Sequence, residues 1–162
     1  MFQASFNVNE GMTVDLGEFE AVARVAFSKG EVGMLDLANS DGDVSNNNPG
    51  ELASGFNNVV APTSGANTTA AVHVVALEDI AQDARGKFAV HGLVSALCGT
   101  ASGNMEAGDS LWVNQANGVL TDDAATGIHV KAILLEDLTA PGASGTLAKV
   151  VFSGLNILGV GQ

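Results

Sequence analysis

The sequence has no tyrosine, one cysteine, three prolines and only six lysines and arginines among 162 residues. Each scarcity excludes something. Cys98 has no internal partner, so no disulfide framework exists, and folding in the cytosol is compatible with that. Six cations without a run or a patch exclude recognition of a nucleic-acid backbone. No apolar stretch approaches the roughly 18 residues of a membrane-spanning helix. The N-terminus has no basic segment followed by an apolar core, so no secretory signal is expected. No stretch sustains a 3.6-residue apolar period, which leaves an all-β fold.

What is abundant points the same way. Glycine numbers 20, about 12% of the chain against a usual ~7%, and follows no fixed period. That density implies tight turns between short strands. Eighteen acidic residues bring the net charge to −12, which favours solubility and self-repulsion and says nothing about fold. Charged residues are only 15% and hydrophobic ones 46%. So little charge leaves a monomer's surface poorly covered, and implies an oligomer or a large partner. One domain is the expectation at this length, with roughly 68–70% of the unfolded surface buried.

The chain is organised around residues 72–97 and their echo at 131–158. The first copy reads Val74-Val75-Ala76-Leu77-Glu78-Asp79-Ile80, a turn, then Phe88-Ala89-Val90-His91-Gly92-Leu93. The second reads Ala132-Ile133-Leu134-Leu135-Glu136-Asp137-Leu138, a turn, then Val150-Val151-Phe152-Ser153-Gly154-Leu155. The longer second turn is a change that a surface loop absorbs. We read each copy as a β-hairpin. Runs 72–77 and 133–135 are apolar on both faces, whereas an antiparallel sheet usually keeps one face wet. That suggests a closed barrel whose outside also packs on something.

The remaining segments read as follows. Residues 2–8 alternate, with Phe2, Ala4, Phe6 and Val8 on one side, an extended arm with an apolar edge. Residues 18–28 suit a strand better than a helix, Lys29-Gly30-Glu31 is a turn, and 32–38 is a second strand. Residues 39–69 are rich in Asn, Ser, Gly and Asp and read as a long loop insertion, which Val59 and Val60 among others anchor to the body. Strands follow at 110–114 and 118–121. The expected architecture is a compact antiparallel β-barrel or sandwich over 18–162, preceded by an extended arm over 1–17.

Candidate chemistry is sparse. Asp41-Gly42-Asp43-Val44-Ser45 alternates oxygen ligands as calcium loops do, but Asn46 and Leu52 stand where glycine and glutamate are needed. A solvated turn explains it better. His73, His91 and His129 lie in apolar runs without metal-ligand spacing to each other or to Cys98. A buried apolar thiol explains Cys98. No nucleophile elbow, phosphate loop or dinucleotide fingerprint is present. Glu78-Asp79 and Glu136-Asp137 are strand-end charges beside turns. No catalytic residue, cofactor site or metal site is therefore expected, and the chain does not read as an enzyme.

Ala107-Gly108-Asp109-Ser110-Leu111-Trp112-Val113, then Asn117-Gly118-Val119-Leu120-Thr121, then Gly127-Ile128 and Ala132-Ile133-Leu134-Leu135-Glu136 form a recognisable order. It resembles the capsid-decoration or cement proteins of tailed phages, small all-β proteins. Lys29-Gly30-Glu31-Val32-Gly33-Met34-Leu35 looks like an earlier copy of the same turn. The long 39–69 insertion and the arm depart from the family's pattern. The resemblance implies a structural virion protein on the capsid exterior, assembled in the host cytoplasm, which cements neighbouring subunits. It implies the major capsid protein as partner and a homotrimer, with no nucleic acid or membrane. The exterior suits −12, since packaged DNA repels that charge over a Debye length of about 8–10 Å. Phe2, Phe6 and Val8 are expected to fasten the arm to a neighbouring sheet edge; the alternatives are completion of the chain's own barrel or pairing only within the trimer. Trp112, between Leu111 and Val113, is expected in the core or a subunit interface. A glycan-binding spike or tail-fibre module is the alternative function; it would want more aromatic platforms than seven Phe and one Trp provide.

Overall fold

A computed structural model describes residues 17–35, 58–62, 72–125 and 127–154. Among them there is no helix. Ten strands run in order: β1 (Glu18–Ala23), β2 (Val32–Leu35), β3 (Asn58–Val60), β4 (His73–Ala76), β5 (Arg85–Ala89), β6 (His91–Cys98), β7 (Ser110–Asn114), β8 (Leu120–Thr121), β9 (Gly127–Leu134) and β10 (Thr146–Ser153). The all-β expectation holds. The body closes as two barrels, β1-β3-β2-β4-β5 and β10-β6-β8-β7-β9.

The two barrels share one topology. Replacing β1 to β5 by β6 to β10 in order turns the first set of pairings into the second. β1 pairs with β3 in parallel, and β6 with β8 likewise. Every other pairing in both barrels is antiparallel. Both hairpins read from the sequence are present: β4 pairs with β5, and β9 with β10. The repeated hairpin is therefore the visible part of a duplicated five-stranded barrel.

Two features differ from the sequence reading. The apolar run 87–97 is not one strand. It changes barrels at Val90, whose N–H donates to the Gly17 carbonyl at 3.4 Å and whose carbonyl accepts from Gly154 N–H at 2.7 Å. Two residues on, Gly92 has φ +117°, a conformation open mainly to glycine. The 39–69 stretch, read as loop, carries β3, whose Val59 is fully buried. Three residues are enough because β3 is held on both sides, by β1 and β2.

Period-2 alternation fills each interior. In β10, Ala148, Val150 and Phe152 point in, while Leu147, Lys149 and Val151 point out. The first core centres on Phe88, with the Phe27 ring edge-on at 5.6 Å and Phe19 at 6.0 Å. β4 is buried throughout. Its Val74 and Ala76 belong to the first core. Val75, with Val32 and Ala89, joins the core cluster of the second barrel. The outside of one barrel thus packs on the other, which accounts for the doubly apolar 72–77 run.

Glycine makes the contact close. Val32 N–H donates to the Gly118 carbonyl at 2.8 Å, and Leu97 N–H to the Gly30 carbonyl at 2.8 Å. Gly118 has φ +66°, and a Cβ there would meet the Val32 carbonyl oxygen at 2.6 Å. Gly118→Ala should cost at least about 1–2 kcal/mol from the left-handed backbone alone, with Tm falling about 2–4 °C per kcal/mol. Gly142→Ala is the control: φ is +72° there and nothing lies within 4 Å of a new Cβ. Thermal melts should show a larger loss for Gly118→Ala; equal losses would remove the barrel contact from the explanation.

His73 lies at the same junction, fully buried, with neither ring nitrogen hydrogen-bonded. Burial disfavours the charged ring and pulls its pKa down from 6.5 to about 4. Between these values the unfolded chain takes up a proton that the folded one refuses. Stability therefore falls as pH drops from about 6.5 to about 4, by up to about 3 kcal/mol from this residue. Denaturant titrations across that window should show a shallower slope for His73→Leu than for the wild type.

Candidate functional site

The two acidic pairs are used by the fold. In the first barrel Glu78 Oε1 accepts Lys87 N–H at 3.0 Å, and Asp79 Oδ1 accepts Lys29 N–H at 2.8 Å. In the second, Glu136 Oε1 accepts Lys149 N–H at 2.7 Å, and Asp137 Oδ1 accepts Ala107 N–H at 2.9 Å. Each glutamate closes its own hairpin and each aspartate ties that hairpin to a glycine turn. The turns match too. Glu31 accepts Ser28 N–H at 2.9 Å, as Asp109 accepts Glu106 N–H at 2.8 Å. Gly30 and Gly108 follow at φ +86° and +101°. Partial burial pushes the Glu31 carboxyl up, and the Ser28 bond partly opposes this.

The other candidate residues stay apart. Cys98 is fully buried, and burial, with Glu136 nearby, pushes its thiol up to about 12. A thiol so held is a poor nucleophile. His73 is buried and His91 half-buried. Among the described residues no three His, Cys, Asp or Glu side chains come together to hold a metal ion. Trp112 lies half-buried on the outer face of β7, opposite the buried Leu111 and Val113. Phe2, Phe6 and Val8 of the arm, and the calcium-like 41–45 stretch, lie outside the described residues.

The surface feature that the sequence reading did not assemble is the outer face of β9, β10 and β6. Cross-strand register places Ile133 opposite Val151 and Val151 opposite Leu93. These three are 47%, 47% and 41% exposed, in one row across three strands. Leu147 and Leu135 flank the row and are also exposed. Lys131, Lys149, Ser95 and Ser153 fill neighbouring outward positions, and none of the outward positions of β6 and β10 carries a carboxylate. The sequence signal was present in 133–135, apolar on both faces, but not which side would be outside.

No family model matches the chain, and no curated protein matches it. Among solved structures, the N base of head fiber gp8.5 of bacteriophage phi29 is similar over 87% of this chain and 97% of its own, with a TM-score of 0.46 and 16% identity.

The hairpin carboxylates give a direct test. Asp137→Ala removes the acceptor of Ala107 N–H and should cost about 1 kcal/mol in urea unfolding. Asp137→Asn keeps a side-chain oxygen and should cost much less. Equal effects, or none, would show that the bond does not hold the turn.

Proposed function

We infer that the chain is a structural component of a tailed-phage virion, a decoration protein. On this reading it sits on the outside of the head as a homotrimer and fastens neighbouring major capsid subunits. The observation that carries the reading is the deployment of the resembling residues. Residues 107–121 and 127–136 form β7, β8 and β9 of one barrel, with Gly108 and Asp109 making its turn. Residues 29–35 build the same turn and strand in the other barrel. Family-like residues thus serve the framework of both halves.

A non-catalytic role is supported by what the polar side chains do. Glu78, Asp79, Glu136 and Asp137, the carboxylates that a reaction would call on, are engaged on backbone N–H groups. An exterior position is supported by the charge of −12, which packaged DNA would repel. Attachment falls to the arm. Phe2, Phe6 and Val8 on one edge let it pair with a sheet edge and bury one face at once. Each Phe contributes roughly 1.5–3 kcal/mol if fully buried, before ordering costs. Both barrels among the described residues are closed, which supports a sheet edge of the capsid protein as the arm's partner.

Deleting residues 1–9 tests this. The shortened protein should remain folded, oligomeric and of near-normal Tm, and should no longer sediment with purified heads that lack it. Unfolding of the body would make the arm part of the chain's own structure. Undiminished binding to heads would remove the arm from attachment.

A further inference from the structure

The duplication reveals what kind of surface covers the exposed row of the second barrel. The hydrogen-bonded turns and hairpins set the equivalences. Glu31 corresponds to Asp109, Ala76 to Leu134 and Lys87 to Lys149, since each makes the same backbone contact in its own barrel. Counting along the strands, Val32, Val75, Ala89 and Glu18 correspond to Ser110, Ile133, Val151 and Leu93. The ladders agree: Val32 is opposite Val75, Val75 opposite Ala89 and Ala89 opposite Glu18. Ser110 is opposite Ile133, Ile133 opposite Val151 and Val151 opposite Leu93.

One row, built twice, meets two fates. In the first barrel Val32, Val75 and Ala89 are completely buried, because the second barrel lies on them. In the second barrel Ile133, Val151 and Leu93 are open. The open row is apolar at three of its four places, with Ile133 for Val75, Val151 for Ala89 and Leu93 for Glu18, and polar only where Ser110 stands for Val32. What covers this row within the chain is another barrel of the same construction.

We propose that the outer face of β9, β10 and β6 is the seat of a second copy of this chain, docked head to tail. The charge decides the direction. A two-fold contact would bring this face against itself, gathering Lys131 and Lys149 of both copies into one interface with no carboxylate from the outward positions of β6 and β10. A head-to-tail contact sets them against a different surface of a chain with 18 carboxylates to six cations. A head-to-tail contact repeats, into a ring where its rotation closes and into an open filament where it does not; three copies make a closed ring. The proposal rests on the decoration reading only for the number of copies, three; the face itself follows from the duplication.

The test uses the full chain and reads sedimentation velocity and native mass. The wild type should be an oligomer. Ile133→Glu with Val151→Glu should be a monomer with an unchanged circular dichroism spectrum. Val25→Glu, at an exposed apolar position of the first barrel, should keep the wild-type mass. Should the double variant unfold, Lys131→Glu with Lys149→Glu changes only exposed cations and is expected to weaken association at least tenfold. A monomeric wild type overturns the proposal. So does association that neither double variant weakens, or a Val151→Cys variant whose copies join to each other through that residue. Binding to purified heads is read separately. An intact oligomer of the Ile133→Glu, Val151→Glu variant that no longer binds heads would give this face to the capsid, overturning the proposal and leaving the decoration reading standing. A wild-type oligomer that dissociates as expected, yet never binds heads, would support this face and overturn the decoration reading.

Discussion

The structure depends on a shared wall. β4 faces its own barrel with Val74 and Ala76 and the other barrel with His73 and Val75. No side of it reaches water. Without the second barrel, Val32 and Val75 would lie open, each worth roughly 1.5–3 kcal/mol of burial as an upper bound. The N–H groups of Val32 and His73 would lose the Gly118 and Gly154 carbonyls. The barrels are consequently interdependent, although each closes on itself. Close approach is the condition for that. Gly30 and Gly118 meet the opposite barrel through backbone atoms, where a side chain would hold the two apart.

The acidic composition is partly a consequence of this topology. Small barrels have short strands and many strand ends, and each end leaves N–H groups that the ladder does not use. A carboxylate on a neighbouring turn satisfies one with a charge-assisted bond. Among the described residues Glu31, Glu78 and Asp79 serve in this way in the first barrel, and Asp109, Glu136 and Asp137 in the second. Their place beside glycine turns therefore reports the fold, and only the remaining acids need be read as surface character.

Much of this was legible in the sequence, and the illegible parts have physical reasons. The two hairpins, the glycine turns at 30 and 108 and the doubly apolar 72–77 run could all be read, because turn chemistry and alternation are local. The boundary between barrels could not. Arg85–Ala89 passes into His91–Cys98 without a turn signal, and the alternation of one strand reads like the alternation of the next. β3 was hidden because, among the described residues, it is a three-residue strand in an Asn-rich stretch, held from both sides. Ile133 and Val151 were visible as apolar, yet exposure depends on which side of a strand faces the barrel axis, and only closure decides that. Trp112 lies in a strand as expected, and its half-buried outer position follows from alternation with the buried Leu111 and Val113.

Charge and apolar surface divide the work of association by range. A single exposed Ile or Val is unremarkable on a protein surface; a contiguous row across three strands is an adhesive patch. A net charge of −12 repels other copies at separations up to about the 8–10 Å Debye length, before any apolar contact forms. Lys131 and Lys149 lie beside the row of Leu93, Val151 and Ile133 and locally offset that repulsion. The counterpart of this row in the first barrel is already buried. Among the described residues the exposed apolar row thus falls on strands whose outward positions carry lysine and serine rather than carboxylates.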